Sequence, residues 1–171
     1  MSNIDRGLGL VPLYTLHGGA PSIMKLTKDA AQATAVFRGD VVAREADSFI
    51  APGGTPGTTT YDGVSLDYGP VSTLTDHLVV VDPYCIFEAQ DDGDGLVVAD
   101  EGQNVNFVFS AGSALTLNSG HKLDGSTHNT TNILDAKILR LIPRQNNDPG
   151  ALASFEVLIN KHRRTLGIAG I

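Results

Sequence analysis

Apolar and polar side chains alternate along several stretches of the chain. In NVNFVF, residues 104–109, apolar side chains recur at every second position, and SFEVLIN, residues 154–160, repeats this spacing. Successive side chains of a β-strand point to opposite faces, so each stretch predicts a strand with one buried face. The residues predicted to be buried on these faces are Phe107, Phe109, Phe155, Val157 and Ile159.

Four further stretches predict strands. Residues 77–82 and 84–90 are rich in β-branched or aromatic side chains, and residues 35–46 predict two strands joined by a Gly-Asp turn. Residues 133–142 also fit a helical spacing. The Thr-rich sequence before them and the proline after them favour a strand.

The remaining sequence predicts little helix and much loop. Only two short pieces, residues 27–35 and 97–102, have a helix-like composition. Residues 51–70 are rich in Gly, Pro and Thr and predict a long surface loop, and residues 117–132 predict another polar connection. Many short strands between turn signals are typical of all-β proteins. We therefore expect an all-β fold, a compact β-sandwich or β-barrel-like domain with long loops.

The two ends differ from this pattern. Residues 1–22 are apolar without a strand period and are broken by Gly and Pro, and residues 165–171 are small and apolar. One interpretation is that each end is an outer strand on the core. Because free apolar ends favour aggregation unless a partner covers them, we instead predict an extended N-terminal arm, residues 1–22, and a β domain, residues 23–171, with an apolar C-terminal tail. The candidate intermolecular contacts of the arm are Leu8, Leu10, Val11, Pro12, Leu13 and Leu16.

The composition indicates one folded domain. Of the 171 residues, 42% are hydrophobic and 18% are charged, which is typical of a globular rather than a disordered protein. The single cysteine excludes an internal disulfide. The sequence has neither a signal-peptide pattern nor an apolar run long enough to cross a bilayer. We expect a soluble protein that folds in a reducing compartment and has no membrane partner.

The distribution of charge bears on partners. The formal net charge of −7 argues against a nucleic-acid partner, and the basic run KHRR, residues 161–164, lacks the interleaved aromatic side chains of a nucleic-acid surface. Acidic side chains concentrate between positions 82 and 101, and basic ones lie toward the C-terminal end. These two groups are either solvated faces or complementary edges of neighbouring subunits.

One acidic stretch is a candidate metal site. DPYCIFEAQDDGDG, residues 82–95, has five carboxylates and no Lys or Arg. It fails the spacing of an EF-hand loop, although Asp91, Asp92 and Asp94 could form a looser calcium site. The stronger interpretation is the end of a strand followed by a turn whose glycines tolerate a positive φ. We therefore expect no metal and no cofactor.

No pattern of catalytic residues emerges. The five histidines lack metal-ligand spacing, and neither a nucleophile elbow nor a phosphate-binding glycine pattern is present. Cys85 lies in an apolar run, where a thiol is usually inert. RGD, residues 38–40, is explained by a hairpin turn without an adhesion receptor. The sequence therefore predicts a protein that is not an enzyme.

Several short motifs together resemble a known family. They are, in chain order, GLVPLYTLHGGAP (9–21), VFRGDVV (36–42), LVVVDPYCIFEAQ (78–90), ILDAKILRLIPR (133–144) and FEVLINKH (155–162). Their order is similar to that of the decoration, or cement, proteins that stabilise the heads of tailed bacteriophages. The family often has a second Asp after the proline of the third motif, where this chain has Tyr84.

The resemblance implies a function. It implies a structural virion protein, made in the host cytoplasm, that binds the outer surface of the head and stabilises contacts between subunits of the major capsid protein. It also implies a homo-oligomer, and a trimer would match the local threefold axes of a shell. The alternative is a β-scaffold of a virion that binds a glycan or receptor through residues 51–70. Only 6% of the residues are aromatic and Trp is absent, so a sugar-stacking surface is poorly supplied.

Overall fold

A computed structural model describes residues 3–165 of the chain. Within this range the backbone forms eleven β-strands and one short 3-10 helix. In chain order the elements are β1 Val11–Thr15, β2 Ile23–Lys28, β3 Val41–Arg44, β4 Ile50–Pro52, β5 Gly63–Ser65, β6 Thr75–Val80, β7 Cys85–Gln90, the 3-10 helix Val98–Asp100, β8 Asn104–Val108, β9 Lys122–Asn129, β10 Ala136–Leu141 and β11 Ser154–Ile159.

The strands form two antiparallel sheets. The first sheet has the order β1-β7-β11-β10-β8-β9, and the second has the order β2-β6-β5-β3-β4. Side chains of both sheets share one buried apolar cluster, to which the second sheet contributes Val41, Val64 and Val80 and the first contributes Phe87 and Phe107. The two sheets therefore pack face to face around a common core, and the prediction of an all-β, sandwich-like fold is confirmed.

The alternation in the sequence identifies most of this core. Phe107, Phe155, Val157 and Ile159 are buried, with at most 2% of their surface exposed. The prediction for Phe109 is only partly right, because this residue lies just beyond the end of β8 and is half-buried against the edge of the core. Burial of the inward face of β8 and β11 therefore follows directly from the period of two.

The N-terminal segment does not project as an extended arm. Gln90 holds it on the first sheet by donating a side-chain hydrogen bond to the carbonyl of Ile4 and accepting one from the backbone N–H of Arg6. Asn3 donates to the carbonyls of Asp148 and Ala151. Residues 11–15 then pair with β7 as an edge strand. The prediction of an extended arm is thus not confirmed, and the alternative of an outer strand on the core describes residues 11–15.

Two stretches that the sequence predicts as loops contain strands. Residues 51–70 include β5, which lies in the middle of the second sheet. Residues 117–132 include β9, which forms an edge of the first sheet. Both predictions were wrong because neither strand shows the apolar alternation of a longer core strand. Strand β5 has only three residues, and β9 is mostly polar.

Two other expectations need correction. Residues 27–35 form no helix, since β2 continues to Lys28 and turns follow it. Residues 35–46 do not form a hairpin of two strands, because only Val41–Arg44 is a strand, and Val36 makes an isolated bridge to Gly69. The expected C-terminal tail, residues 165–171, lies outside the described residues except for its first position.

Candidate functional site

A group of apolar side chains is exposed along the edge strand β1. Leu13, Tyr14 and Leu16 have 42%, 41% and 56% of their surface exposed, and Tyr84 has 42%. Tyr84 belongs to this group because its carbonyl accepts a hydrogen bond of 3.0 Å from the N–H of Leu16. We refer to Leu13, Tyr14, Leu16 and Tyr84 as the edge patch.

The local irregularity of β1 exposes these side chains. The pairing of β1 with β7 shifts register between Pro12 and Tyr14, which is the position of a β-bulge. A bulge adds an unpaired residue and turns the following side chains relative to the sheet. Leu13 is that extra residue, so its side chain is presented at the edge rather than packed in the core.

The six candidate contact residues of the N-terminal segment therefore differ in how much of their side chains is exposed. Leu13 and Leu16 belong to the edge patch, and Leu8, which is 39% exposed, lies before it in the chain. Val11 and Pro12 are half-buried. Leu10 is 1% exposed and packs in the protein's own core, so it is not available to a partner in this structure.

An apolar groove adjoins the edge patch. It has a volume of about 400 Å³ and is lined by Pro83, Tyr84, Leu158 and Ile159, with Arg164 at its side. Tyr84 belongs to both the groove and the edge patch. The groove and the edge patch together form a continuous apolar surface at one end of the first sheet.

The outer face of the first sheet is covered by ion pairs. Glu156 receives two hydrogen bonds of 2.8 Å from Arg140 and one of 2.7 Å from the hydroxyl of Tyr14. Glu88 receives hydrogen bonds of 3.0 and 2.6 Å from the guanidinium of Arg144. Acidic and basic side chains that are distant in the sequence thus neutralise each other within one chain, so this pairing requires no second subunit.

A Ser-His-Asp trio lies in the second sheet but lacks the geometry of a catalytic triad. The Oγ of Ser65 and the Oδ1 of Asp67 both lie 3.1 Å from the same nitrogen, Nδ1 of His77. In a triad the serine and the carboxylate contact opposite ring nitrogens. Ser65 and His77 are also fully buried, and Thr75 occupies Nε2 at 3.2 Å. The trio is therefore a structural hydrogen-bond network.

A second histidine forms a buried acid–imidazole pair. Nδ1 of His121 accepts a hydrogen bond of 3.1 Å from the N–H of Val41, so the ring proton lies on Nε2, which is 3.3 Å from Oδ1 of Asp40. Burial lowers the pKa of His121 to about 3 and raises the pKa of Asp40 to about 6. Asp40 also accepts a hydrogen bond from the N–H of Phe37. The pair fastens β3 and its preceding turn. Because Asp40 is buried, the carboxylate of the RGD sequence is not exposed to a receptor, whereas Arg38 is at the surface.

The basic run at residues 161–164 is largely tied to the protein itself, although Arg163 and Arg164 remain exposed. His162 is buried, with 1% of its surface exposed. Lys161 donates a hydrogen bond to the carbonyl of Gly57, and Arg163 donates one of 3.0 Å to Asp62. Two of the three cations therefore bind oxygen atoms of the protein itself. The expectation of no nucleic-acid partner remains a prediction.

The acidic stretch ends in a turn, as the sequence predicts. Oδ2 of Asp91 accepts hydrogen bonds from the N–H groups of Gly93, Gly95 and Leu152 at 2.9 to 3.2 Å. Gly93 and Gly95 have φ values of +125° and +95°, which side-chain-bearing residues rarely adopt. Asp91 is fully buried, and this burial raises the pKa of its carboxyl. Asp91 is therefore an anchor of the turn rather than a surface residue.

The fold adds a carboxylate that sequence reasoning missed. Asp92, Asp94 and Asp124 each place one oxygen within 4.8 Å of the others. Asp124 lies on β9, within the stretch predicted as a polar connection, so its proximity to residues 91–95 was not visible in the sequence. The only available signal was a lone acidic residue in a Gly-rich and Ser-rich segment.

Comparisons with known proteins provide no further identification. Comparison of the chain with protein family models, curated proteins and solved structures finds no match. Among residues 3–165 there is no helix long and apolar enough to cross a membrane.

Proposed function

We propose that the protein is a structural component of a bacteriophage head that binds the outer surface of the capsid and stabilises contacts between major capsid subunits. The edge patch on β1 is the observation that carries this proposal. It presents Leu13, Tyr14, Leu16 and Tyr84 to solvent next to an apolar groove. Contiguous apolar surface of this kind, rimmed by charged side chains, is typical of protein-binding sites.

The backbone of β1 supports the same role. This strand is at the end of the first sheet and pairs only with β7, so its outer edge has no strand partner among residues 3–165. An exposed sheet edge can accept an extended segment of another chain as an additional strand. Main-chain hydrogen bonds would then supplement burial of the edge patch.

The energetics suit a protein present in many copies. Complete burial of a large apolar side chain contributes about 1.5–3 kcal/mol, and the members of the edge patch are already partly covered, so each contact is weak. Several copies joined in one oligomer bind with avidity because the later contacts are intramolecular. A trimer at a local threefold axis of the shell satisfies this requirement, and self-association is part of the proposal.

The titratable clusters favour a binding role over an enzymatic one. Ser65, His77, Asp40 and His121 are buried, whereas Asp67 is partly exposed, and all of them hydrogen-bond to or contact groups of the protein itself. A glycan- or receptor-binding role through residues 51–70 has weaker support, since Gly63–Ser65 of this stretch is a buried strand.

The test is co-sedimentation with heads that lack the protein. The wild-type chain should sediment with them in many copies, and the double variant Leu13→Asp/Leu16→Asp should not. The matched control is Val71→Asp/Leu74→Asp, which changes two exposed apolar side chains of the loop between β5 and β6.

Two results would contradict the proposal in different ways. Failure of the wild-type chain to bind heads would remove the capsid function. Equal binding by the Leu13→Asp/Leu16→Asp variant and the control would show that the contact surface lies outside the edge patch.

A further inference from the structure

An apolar pocket lies between the N-terminal segment and the turn that precedes β3. It has a volume of about 310 Å³, and its apolar walls are formed by Leu8, Leu10, Val11, Pro12 and Leu66. Among the described residues it shares no lining residue with the edge patch or with the groove beside it. A pocket of this size, with mostly apolar walls and a few polar groups, is typical of a site for a small molecule.

The pocket is formed where two backbone segments cross in close contact. The N–H of Leu10 donates a hydrogen bond of 2.9 Å to the carbonyl of Gly39. Gly39 has a φ of +91°, and a Cβ atom there would lie 2.3 Å from the carbonyl oxygen of Leu8. No side chain therefore separates the two segments at the crossing. The backbone contacts fix the position of the pocket walls in the folded protein.

Two polar side chains beside the pocket are not used by the protein. Arg38 is exposed, and within residues 3–165 its guanidinium forms neither an ion pair nor a hydrogen bond. The carboxamide of Asn118 likewise has no hydrogen-bond partner in this part of the chain. The backbones of Arg38 and Asn118 form a parallel bridge, so the two side chains start next to each other. The third polar lining residue, Ser65, is already hydrogen-bonded within the protein.

The two available donor groups suit one carboxylate. A guanidinium presents a planar fork of N–H donors that matches the two oxygens of a carboxylate, and the amide of Asn118 can donate a further hydrogen bond. One arginine balances a single negative charge. A phosphate monoester would bring a charge of about −1.5 to −2 to a chain whose formal net charge is already −7.

We propose that this pocket binds an aliphatic monocarboxylate, with the carboxylate on Arg38 and Asn118 and the aliphatic chain against Leu8, Leu10 and Leu66. The pocket volume corresponds to roughly ten non-hydrogen atoms at about 30 Å³ each, which is the size of octanoate. Burial of the chain contributes most of the affinity, and the polar contacts fix the orientation of the ligand.

Calorimetric titration of the full chain with sodium octanoate tests the proposal. We expect one site per chain and a Tm that rises with octanoate concentration, because a ligand that binds only the folded state stabilises it. Two further ligands separate the two parts of the interaction. Octanol has the same chain without the charge, and acetate has the charge without the chain, so each should bind at least about tenfold more weakly than octanoate.

Two variants test the assigned contacts. Arg38→Gln should weaken octanoate binding by about tenfold, because a hydrogen bond to a charged group is lost. Leu8→Glu changes a side chain that is exposed at the pocket wall, and its negative charge should also weaken binding by repelling the carboxylate. The matched control is Arg164→Gln, which removes the same charge from an exposed arginine beside the other apolar groove and should bind octanoate like the wild-type chain.

Several results would overturn the proposal. Absence of both heat and a Tm change at millimolar octanoate would exclude the site, as would equal octanoate affinity in the wild-type chain, Arg38→Gln and Leu8→Glu. Equal affinity for octanol and octanoate would exclude recognition of the carboxylate. Weaker binding by Arg164→Gln but not by Arg38→Gln would place the ligand in the groove at Tyr84 instead.

Discussion

The hydroxyl of Tyr14 donates a hydrogen bond of 2.7 Å to Oε2 of Glu156 across the width of β7. Tyr14 lies on β1 and Glu156 on β11, the two strands that flank β7. Glu156 is held at the same time by the guanidinium of Arg140 on β10. The Arg140 hydrogen bond lowers the pKa of Glu156, and the Glu156 carboxylate raises the pKa of Tyr14. One carboxylate thus fastens the edge strand to the centre of the sheet.

Replacing Tyr14 by Phe should remove this link while leaving the ring in place. Because Glu156 keeps its hydrogen bonds to Arg140, we expect the free energy of unfolding to fall by about 1 kcal/mol, a typical value for one hydrogen bond. Urea unfolding followed by circular dichroism measures the change. Tyr84→Phe is the matched control, since Tyr84 is equally exposed, and it should change stability less. Equal effects of the two variants would argue against the role of the Tyr14 hydrogen bond.

Replacing Phe155 by Ala should disrupt the core between the sheets. Phe155 is fully buried on the inward face of β11, so the variant should lose about 3–5 kcal/mol of stability. Thermal unfolding measures the loss. Phe49→Ala, at a half-buried position, should lose less. A melting temperature equal to that of the wild-type chain would be inconsistent with the position of Phe155 in the core.

The period of two makes the longer core strands recognisable in the sequence. Strands β8 and β11 each have one apolar face and several residues, so Phe107 and Phe155 are recognisable as core side chains. Strand β5 gives no such signal, because it has three residues and begins with Gly63. A Cβ at Gly63 would lie 1.9 Å from the carbonyl oxygen of Val80, so the close approach of β6 requires glycine there. In the sequence, the same glycine is more typical of a loop than of a strand.

The candidate sites depend on contacts that no local pattern contains. Asp124 approaches Asp94 only because β9 folds back beside the end of β7. The apolar N-terminal segment lacks a clean period because Leu10 enters the core while Leu13 occupies the bulge of β1. Leu13 and Leu16 are exposed in the structure, but the apolar composition of the segment does not distinguish an arm from an irregular edge strand.

The thiol of Cys85 should be unreactive in the folded protein. Cys85 is fully buried on the inward face of β7, and burial raises its pKa to about 12. The thiolate is the reactive form, so both access and ionisation are suppressed. A chromogenic disulfide reagent should detect no thiol under native conditions and one thiol per chain in guanidinium chloride. Rapid reaction of the native protein would contradict the inward orientation of this side chain.

Deletion of residues 2–16 should destabilise the protein rather than release an intact domain. The deletion removes β1, the core side chain of Leu10 and the hydrogen bonds that Gln90 makes to the N-terminal segment. Loss of a buried Leu side chain alone costs about 2–5 kcal/mol, so the Tm of the truncated chain should fall strongly. By contrast, Leu13→Ser/Leu16→Ser changes exposed positions and should alter stability by less than about 0.5 kcal/mol per site.

The truncated chain and the Leu13→Ser/Leu16→Ser variant together separate folding from binding. If the truncated chain melts at the wild-type temperature, the N-terminal segment is an independent arm and its pairing with β7 contributes nothing to stability. If the truncated chain unfolds early, its failure to bind heads carries no information about the contact surface, because the sheet edge itself has changed. Head binding by the folded Leu13→Ser/Leu16→Ser variant is then the informative measurement, and it should be weaker than that of the wild-type chain because burial of both apolar side chains is lost.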